Sequence, residues 1–365
     1  MSNQENKILE QGATIGIVGG GQLGKMLALS ALQLGFKVAI YCPDPDSPAF
    51  DVTPLKFIAN YDDEKKLAEF ANLVDIITYE FENLPTQSLK FLEKIKPVAP
   101  SSTILEIAQD RLKEKLFLAS NDIAVAQYMK VETLSDLENA VKEITLPIVL
   151  KTTRMGYDGK GQRIIKTEQQ IEQAFNELKG STLIAEKFIS FEREISIIVA
   201  RNRRGQVRDY DASENIHENH ILKTSTVPAN IDNITRKRAS RIAHEIIGSL
   251  DYIGVLGIEF FVVANEPYAK LIVNEIAPRV HNSGHFTQAV CFTSQFEQHI
   301  RAIANWPLGD PTRLANVTME NLIGDEIIDA HKDLQSGTRP DFYGKKQVRE
   351  GRKMGHLNHI SFLSE

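Results

Sequence analysis

The sequence predicts an α/β protein with a parallel sheet at the amino terminus, followed by a part in which strands dominate. Two observations support this fold class. Between residues 13 and 100, short apolar runs alternate with helix-like segments, as in βαβ units. After residue 146 the apolar runs are short and bounded by turn residues, and one long helical pattern interrupts them at 233–249.

Each element follows from the spacing of apolar residues along the chain. In the first part we expect strands at 14–18, 37–41 and 74–79, and helices at 23–34 and 64–72. In the second part we expect helices at 110–120, 167–179, 233–249 and 293–304, and strands at 146–151, 162–166, 182–189, 194–200 and 206–211. The basic residues 201–205 fall where the last two strands should turn, so they predict a solvated hairpin tip.

Length and composition exclude several classes of protein. The 365 residues suffice for two or three domains, and 42% hydrophobic with 25% charged residues is an ordinary profile. A net charge of -6 argues against sequence-independent binding of nucleic acid. No apolar run is long enough to span a membrane, and the first eleven residues are polar, unlike a secretion signal. Cys42 and Cys291 do not have the spacing of metal ligands. We therefore expect a cytoplasmic protein without membrane or nucleic-acid partners.

The most informative segment is residues 274–285, which place a carboxylate, a guanidinium, two imidazoles and two amides within twelve positions. So many polar groups are too costly for a core. An apolar run at 257–261 precedes the segment, and the turn-like residues 265–267 predict an antiparallel hairpin. Such a hairpin brings Glu259 and Glu275 opposite each other. The alternative is a pair of edge-strand glutamates in water.

Two facing carboxylates repel each other unless a proton or a cation lies between them. Oxygen-only ligands favour magnesium or calcium, and magnesium is usually held by one or two carboxylates together with nucleotide phosphates. The hypothesis is therefore a metal-nucleotide site at Glu259 and Glu275, with Arg279 and His281 facing the reacting group.

A glycine loop follows the first predicted strand and opens a helix. Gly19, Gly21 and Gly24 have the spacing of a dinucleotide-binding loop, and Asp44 stands about twenty residues further on. This pattern favours a nicotinamide or flavin enzyme. The N–H groups of such a loop could equally bind another phosphate, and a tight turn without a ligand would have the same sequence.

A second glycine-rich loop, at residues 156–162, follows a strand that ends in Lys151. Asp158 and Gly159 alone would suit a plain hairpin turn. Three glycines in six residues exceed what a turn needs, so the loop and Lys151 are predicted to cover a triphosphate. The loop is not a P-loop, because the Gly-Lys-Ser/Thr ending is absent.

A strand-like segment at 183–189 includes Glu186, and Glu194 follows it. In a nucleotide site, the backbone of such a strand can read an adenine edge while a carboxylate binds the ribose hydroxyls. On its own, the segment is only an amphipathic strand. His217 and Lys223 lie in a polar segment, and nothing local decides their role.

Together these motifs resemble the ATP-grasp superfamily and, within it, the 5-(carboxyamino)imidazole ribonucleotide synthase family. The similarity covers nearly the whole chain and rests on residues 20–24, 79–83, 110–111, 151, 156–162, 186–189, 194, 217, 274–285 and 351–358. The run Asn-Glu-Ile-Ala-Pro-Arg, followed by His-Asn-Ser-Gly-His, is specific to this family. The other motifs are shared more widely among ATP-grasp ligases.

The resemblance implies a fold and an ATP site. The implied domains are a Rossmann-like domain at 1–105, an ATP-grasp domain of α+β type at 106–310 with its small lobe at about 125–190, and a small carboxyl-terminal domain at 311–365. ATP would lie between the small and the large lobe. Its implied contacts are Arg111, Lys151, Gly156, Tyr157, Asp158, Gly159, Lys160, Gly161, Gln162, Glu186, Lys187, Phe188, Ile189, Glu194, His217, Asn274 and Glu275. Mg²⁺, or alternatively Mn²⁺, would be held by Glu259 and Glu275.

The resemblance also implies a reaction. In this family bicarbonate attacks the γ-phosphate of ATP to give carboxyphosphate, and 5-aminoimidazole ribonucleotide then captures the carboxyl group, or the carbon dioxide released, in de novo purine biosynthesis. Arg279, His281 and Asn282 are expected near bicarbonate. The residues expected near the ribonucleotide are Gln22, Leu23, Glu80, Tyr157, Asp158, Lys160, Arg352 and Lys353. The resemblance further implies a homodimer.

Three competing functions use fewer of these motifs. A nicotinamide oxidoreductase would use only the first glycine loop and leave Glu259 and Glu275 without a role. A catalytically silent nucleotide-binding regulator would keep Lys151 but would have no need of Arg279. Among ligases, the nearest rival is a formate-using glycinamide ribonucleotide enzyme, and the sequence at 281–285 argues against it.

Overall fold

The amino-terminal part is a parallel sheet, as predicted, with four strands in the order β3-β2-β1-β4. The structure is a computed structural model that describes residues 8–154, 156, 161–264, 269–332 and 334–362. The first strands are β1 (Thr14–Val18), β2 (Lys37–Tyr41), β3 (Leu55–Phe57) and β4 (Ile76–Tyr79). The helices are α1 (Gln22–Gln33), α2 (Glu64–Leu73), α3 (Thr86–Glu93) and α4 (Ser102–Ala108), with a 3₁₀ helix at Pro48–Val52.

A second sheet, of order β5-β8-β6-β7, is antiparallel and is covered by two helices. Its strands are β5 (Tyr128–Val131), β6 (Ile148–Thr152), β7 (Gln162–Ile165) and β8 (Leu183–Lys187). The helices of this region are α5 (Arg111–Ser120), α6 (Leu134–Ile144) and α7 (Ile171–Leu178). The helix predicted at 167–179 is shorter than expected, because Thr167 caps a 3₁₀ turn at Glu168–Gln170 before α7 begins.

The third sheet has nine strands in the order β14-β13-β9-β11-β12-β15-β17-β16, with β10 paired to β9. These strands are β9 (Arg193–Arg201), β10 (Val207–Asp209), β11 (Ser213–Glu218), β12 (Ile221–Val227), β13 (Gly254–Val263), β14 (Lys270–Ala277), β15 (Ala315–Ile323), β16 (Thr338–Phe342) and β17 (Lys353–Phe362). The helices are α8 (Asn233–Ser249), α9 (Thr287–Val290) and α10 (Gln295–Ile303), with 3₁₀ turns at Asn282–Gly284 and Gly324–Ile327. The β9–β10 pairing confirms the predicted hairpin turn at 201–205, but the tip is only partly solvated, because Asn202 is fully buried.

Helix α8 shows why the patterning was informative. Asp232 caps its amino terminus, where the carboxylate accepts hydrogen bonds from the N–H groups of Ile234 and Thr235. Ala239 and Ala243 lie on the stripe that packs against β9 and β13. The helix therefore spans the predicted residues 233–249. No helix in the described part of the chain combines the length and apolar character needed to cross a membrane.

The first and third sheets share an apolar core, whereas the second sheet has a core of its own. One apolar cluster joins Met26 of α1, Phe296 of α10 and Met319 of β15. The buried His299 side chain also bridges the first and third sheets, because its Nε2 lies 2.8 Å from the Thr78 hydroxyl. The carboxyl-terminal strands extend the nine-stranded sheet rather than forming a sheet of their own.

Candidate active site

A large cavity, of about 1300 Å³, is lined by residues from all three sheets. The predicted site residues that line it are Gln22, Leu23, Glu80, Arg111, Lys151, Gly156, Gln162, Glu186, Lys187, Phe188, Ile189, Glu194, His217, Glu259, Asn274, Glu275, Arg279, His281, Asn282 and Lys353. Gly161 and Arg352 do not line it. Tyr157, Asp158, Gly159 and Lys160 lie outside the described residues.

Glu259 and Glu275 are direct partners across the antiparallel β13–β14 ladder, as the sequence predicted. Glu259 is not a solvated edge residue, because β13 lies between β9 and β14 and its side chain is 15% exposed. Glu275 lies on the edge strand, and its Oε2 is 3.5 Å from Nη1 of Arg111. Burial and repulsion by Glu275 raise the pKa of Glu259 to about 7. The pair therefore lacks a counter-charge on the Glu259 side.

This carboxylate pair suits a magnesium ion that takes further ligands from a nucleotide. It does not suit a metal ion whose ligands all come from the protein. Among the described residues, no three His, Cys, Asp or Glu side chains form a group that could hold a metal ion. Two carboxylates that repel each other unless a cation lies between them are the protein share expected when phosphate oxygens supply further ligands. The Asn274 amide, which donates to Glu259 Oε2 at 3.4 Å, orients one of these carboxylates.

A buried cation cluster lies at the small-lobe side of the cavity. Lys151 Nζ is 3.0 Å and Lys115 Nζ 3.9 Å from Glu186 Oε2. Although burial opposes ionisation, the two lysines lower the pKa of Glu186 to about 2. Burial also lowers the pKa of Lys151. This cluster keeps two lysine side chains largely buried beside the cavity, where their charge is available to an anionic ligand.

Lys115 is a residue that sequence reasoning missed. Its ammonium donates to the backbone carbonyl of Asn274 at 2.8 Å and so fixes the chain next to Glu275. A signal was available, because Lys115 follows Arg111 by four positions and the two therefore share one face of helix α5. The side chain is 98% buried, which distinguishes it from an ordinary surface lysine.

His217 and Glu194 form a second charged pair on the cavity wall. The imidazole Nδ1 is 2.8 Å from Glu194 Oε2, across the neighbouring strands β11 and β9. Burial lowers the pKa of His217, but the nearby Glu194 carboxylate raises it by a larger amount, so the net shift is upward. Lys187 behaves differently: it lines the cavity, yet its ammonium donates to the Thr145 carbonyl at 3.1 Å.

Arg279 is held by a partner that the sequence did not assign. Its Nε and Nη2 donate to the two carboxylate oxygens of Glu82, and Nη1 donates to the Val280 carbonyl at 3.1 Å. Burial opposes both charges, but Arg279 still lowers the pKa of Glu82 to about 2. Because a guanidinium has five N–H groups, these bonds leave two donors for an anion in the cavity.

His281 and Asn282 follow on the same loop and line the cavity. Nε2 of His281 lies 3.5 Å from Glu259 Oε1, and Nδ1 lies 2.8 Å from the Ser283 hydroxyl. Burial, with repulsion from Arg279, lowers the pKa of His281 to about 3. Both amide atoms of Asn282 are buried and have no hydrogen-bond partner among the described residues, so this side chain can bind a ligand at its donor and its acceptor.

The first glycine loop is filled by a carboxylate of the protein. Glu80, from the end of β4, accepts hydrogen bonds from the backbone N–H groups of Gly21 and Gly24. A Cβ at Gly19 would lie 2.4 Å from Glu80 Cγ, and a Cβ at Gly21 would lie 2.7 Å from Glu80 Oε1. The glycines therefore make room for Glu80. The N–H groups that a dinucleotide pyrophosphate would need are already bonded, which argues against the nicotinamide interpretation.

A basic group from the carboxyl-terminal strands stands near Glu80. Lys353 lines the cavity, whereas the Arg352 guanidinium donates to the Gln347 carbonyl at 3.1 Å. Sequence reasoning missed Lys345, whose ammonium donates to the Lys353 carbonyl at 2.7 Å and lies 5.5 Å from the centre of the Tyr343 ring. Burial, followed by repulsion from Arg352, lowers the pKa of Lys345 to about 8.

Family models match three consecutive parts of the chain. Residues 12–109 match the ribonucleotide synthetase preATP-grasp domain, residues 116–296 match the ATP-grasp domain, and residues 317–362 match the phosphoribosylaminoimidazole carboxylase C-terminal domain.

Individual proteins are similar along nearly the whole chain. The N5-carboxyaminoimidazole ribonucleotide synthase of Bacillus subtilis (strain 168) is 44% identical over 353 residues, which are 96% of this chain and 92% of that protein. The N5-carboxyaminoimidazole synthetase of Staphylococcus aureus complexed with ADP superposes with a TM-score of 0.93 at 37% identity, covering 99% of this chain and 96% of that one. The Aspergillus clavatus N5-carboxyaminoimidazole synthase in complex with ADP and 5-aminoimidazole ribonucleotide gives a TM-score of 0.89 at 27% identity, covering 96% and 94%.

Proposed function

Because the chain belongs to the N5-carboxyaminoimidazole ribonucleotide synthase family of ATP-grasp ligases, we propose that its cavity carboxylates 5-aminoimidazole ribonucleotide with ATP and bicarbonate. The products are N5-carboxyaminoimidazole ribonucleotide, ADP and phosphate, in de novo purine biosynthesis. The observation that supports this most directly is the facing pair of Glu259 and Glu275, which shares one cavity with the cation cluster at Lys151 and with Arg279.

The ATP end of the cavity lies between the small-lobe sheet and the nine-stranded sheet. Lys151 and Arg111 neutralise the phosphates, while the pair of His217 and Glu194 is suited to hydrogen bonds with the ribose hydroxyls. The loop at 156–162 would cover the triphosphate through its backbone N–H groups. Phosphoryl transfer depends mainly on such positioning and charge neutralisation.

Glu259 and Glu275 would hold Mg²⁺, and Mn²⁺ takes the same oxygen ligands. The bound cation supplies charge neutralisation for the phosphate oxygens. The protein's own part is to keep both carboxylates ionised and in register: Arg111 contacts Glu275 at 3.5 Å, and the Asn274 amide contacts Glu259 at 3.4 Å.

Bicarbonate would bind at the loop that follows Glu275. The two free N–H groups of Arg279, the ring of His281 and the unpartnered amide of Asn282 offer donors and an acceptor to a small planar anion. A bicarbonate oxygen attacks the γ-phosphorus and ADP leaves, which gives carboxyphosphate. Donors fixed in a buried pocket stabilise this anion without reorganisation.

The ribonucleotide would enter from the side of the glycine loop. Gln22 and Glu80 line the cavity there, and Lys353 offers a positive charge to the phosphate group. Leu23, Arg352, Tyr157, Asp158 and Lys160 belong to this end of the site in our proposal, which the family resemblance supports. The exocyclic amine then attacks the carboxyl carbon, and phosphate is released.

Comparison of cosubstrates tests this function. We expect purified protein to release ADP from Mg-ATP only when bicarbonate is present, and to form the carboxylated ribonucleotide when 5-aminoimidazole ribonucleotide is added. Formate with glycinamide ribonucleotide serves as the control, because it is the substrate pair of the nearest rival ligase. ADP release that follows formate and ignores bicarbonate would contradict the proposal.

The expected homodimer also remains a proposal, supported by the family membership. Sedimentation velocity of the full chain measures it directly, with a species of about twice the 40.9 kDa chain mass as the expected result. A single 40.9 kDa species at micromolar concentration would contradict it.

A further inference from the structure

A buried network of hydroxyl and amide groups lies next to His281 and reaches the cavity wall at Asn215. It consists of Ser283, Ser196, Asn215, Ser213 and Ser225, each of which is at least 95% buried. Buried hydroxyl groups cost free energy unless they are hydrogen-bonded, and apolar residues would fill the same space more cheaply. So concentrated a polar network in a sheet interior calls for a reason beyond packing.

The network is continuous from the imidazole ring. His281 Nδ1 lies 2.8 Å from Ser283 Oγ, and Ser283 Oγ lies 2.5 Å from Ser196 Oγ. Ser196 Oγ accepts a hydrogen bond from the Asn215 amide at 3.0 Å. Ser225 donates to the Asn215 oxygen at 2.8 Å and so fixes the orientation of that amide.

The rest of the ring's surroundings also restrict it. Gln295 holds the backbone of His281 on both sides, because it accepts from the N–H group at 2.8 Å and donates to the carbonyl at 2.7 Å. A Cβ at Gly257 would lie 2.8 Å from Cγ of the ring, so the ring packs directly on the β13 backbone. Neither translation nor a ring flip is available without breaking these contacts.

The acceptor on the cavity side decides which ring nitrogen bears the proton. Nε2 faces the cavity, with Glu259 Oε1 at 3.5 Å, and an ionised carboxylate oxygen can only accept a hydrogen bond. A neutral imidazole with its proton on Nε2 has a lone pair on Nδ1. Ser283 then donates to Nδ1, Ser196 donates to Ser283, and Asn215 donates to Ser196. All three hydrogen bonds run in one direction, toward the ring.

We propose that Ser283 is a positioning residue for His281, and that the chain from Asn215 through Ser196 and Ser283 presents the ring to the cavity with Nε2–H as a hydrogen-bond donor. This inference rests on the proposed function in one respect, namely that the bicarbonate-derived anion is a second acceptor for Nε2–H in the cavity, beside Glu259. His281 thereby stabilises that anion and is not the base that removes a proton from bicarbonate.

Kinetics of Ser283→Ala test the positioning role. We expect kcat for bicarbonate-dependent ADP release to fall about 10- to 100-fold. Losses of this size are typical when a hydrogen bond that orients a histidine in a site is removed. The KM for ATP should stay near that of the unchanged protein. Ser88→Ala is the matched control, because Ser88 is a buried serine of α3 whose hydroxyl donates to the Tyr61 carbonyl, away from the cavity. Equal kcat values for the two variants would overturn the proposal.

A double-mutant cycle separates positioning from a general loss of packing. In a His281→Ala background, Ser283→Ala should cost little further activity, because its only catalytic route is through the ring. Full additivity of the two losses would overturn the proposal. If Ser283→Ala does not fold, Ser196→Ala breaks the next link of the same chain and takes its place in the cycle.

The ring tautomer has its own spectroscopic readout. In ¹⁵N-histidine-labelled protein, with His281→Gln used for assignment, we expect His281 to show a protonated Nε2 and an unprotonated Nδ1. A proton on Nδ1 would overturn the inference whatever the kinetics. If the unchanged protein released no ADP with bicarbonate, the proposed function would fail, while the tautomer measurement would still decide the role of Ser283.

Discussion

At the scale of single residues, the buried carboxylates of the cavity fall into two electrostatic groups. Glu82 and Glu186 each have a cationic partner, and the pKa of each is lowered to about 2 despite burial. Glu114 and Glu259 face other carboxylates, and burial raises their pKa to about 8 and about 7. The cavity is therefore short of positive charge at one place, beside the facing glutamate pair.

Glu114 gives a prediction about the pH dependence of stability. Its folded-state pKa of about 8 lies above the ordinary value of 4.5 for a glutamate, so the folded protein holds this proton more tightly than the unfolded chain. The stability contribution is fully present below pH 4.5 and is lost as the pH rises through 8. Glu114→Gln cannot ionise, so its Tm relative to the unchanged protein should rise by at least about 2 °C between pH 5 and pH 8.

Thermal unfolding across this pH range checks the Glu114 prediction. Glu138→Gln is the control, because Glu138 is exposed on α6. A Tm difference for Glu114→Gln that does not change with pH would contradict the burial argument.

Alanine variants of Arg279 and Lys353 should distinguish the reaction of bicarbonate with ATP from the carboxylation of the ribonucleotide. Arg279→Ala removes the donors for bicarbonate, so ADP release and carboxylation should both fall by about 100-fold or more. Lys353→Ala removes a remote charge for the ribonucleotide phosphate, so it should mainly raise the KM for the ribonucleotide.

Assay of both products for both variants tests this separation. Arg301→Ala controls for the loss of an arginine, because Arg301 pairs with Glu297 within α10. The site assignment is wrong for Arg279 if its alanine variant keeps bicarbonate-dependent ATP cleavage, and wrong for Lys353 if ribonucleotide dependence is unchanged.

At the scale of elements, the β1–α1 loop is shaped by Glu80 rather than by a cofactor phosphate. Gly21→Ala would place a methyl group 2.7 Å from Glu80 Oε1, so the carboxylate must move. We expect a loss of about 1–3 kcal/mol in stability, as for other overpacked sites, together with a raised KM for the ribonucleotide. Gly248→Ala in α8 is the control, because nothing lies within 4 Å of the added methyl.

Denaturant unfolding and ribonucleotide titration of these two glycine variants give the test. Gly248→Ala should be neutral or stabilising by up to about 1 kcal/mol, since alanine favours a helix. A Gly21→Ala protein with the stability and ribonucleotide KM of Gly248→Ala would show that the Glu80 contacts have no such role.

Local elements were predictable because each depends on residues near in sequence. The apolar spacing of α8 predicted 233–249, and the turn predicted at 265–267 implied the pairing of Glu259 with Glu275 that β13 and β14 have. The glycine loop was misleading for the opposite reason. Its true partner, Glu80, lies 59 positions from Gly21, and no spacing rule links the two.

At the scale of the whole molecule, the cavity exists only because three sheets converge on it. Arg279 and Glu82 are 197 positions apart, so their pairing could not be derived from local pattern. Family resemblance indicated the residue set, and the fold shows how those residues meet. The proposed domain boundaries at 105/106 and 310/311 remain predictions, since strands β15, β16 and β17 continue the nine-stranded sheet.

Metal binding should stabilise the whole protein against unfolding. At ATP and Mg²⁺ concentrations near 100 times Kd, ligand binding should stabilise the protein by about 2.7 kcal/mol. In Glu259→Gln and Glu275→Gln we expect the Mg²⁺-dependent part of the Tm increase to vanish and phosphoryl transfer to be abolished, with the far-UV circular dichroism unchanged. Full activity in both variants would rule out this pair as the metal site.

The central claim is that bicarbonate attacks ATP in this cavity, and isotope transfer tests it most directly. With freshly dissolved ¹⁸O-bicarbonate, Mg-ATP and 5-aminoimidazole ribonucleotide, the attacking oxygen stays on phosphorus when the carboxyl group is transferred. The account predicts one ¹⁸O atom in each phosphate released, measured by ³¹P NMR or mass spectrometry. Unlabelled phosphate from a reaction that still forms ADP would mean that water attacks instead, and would contradict the account.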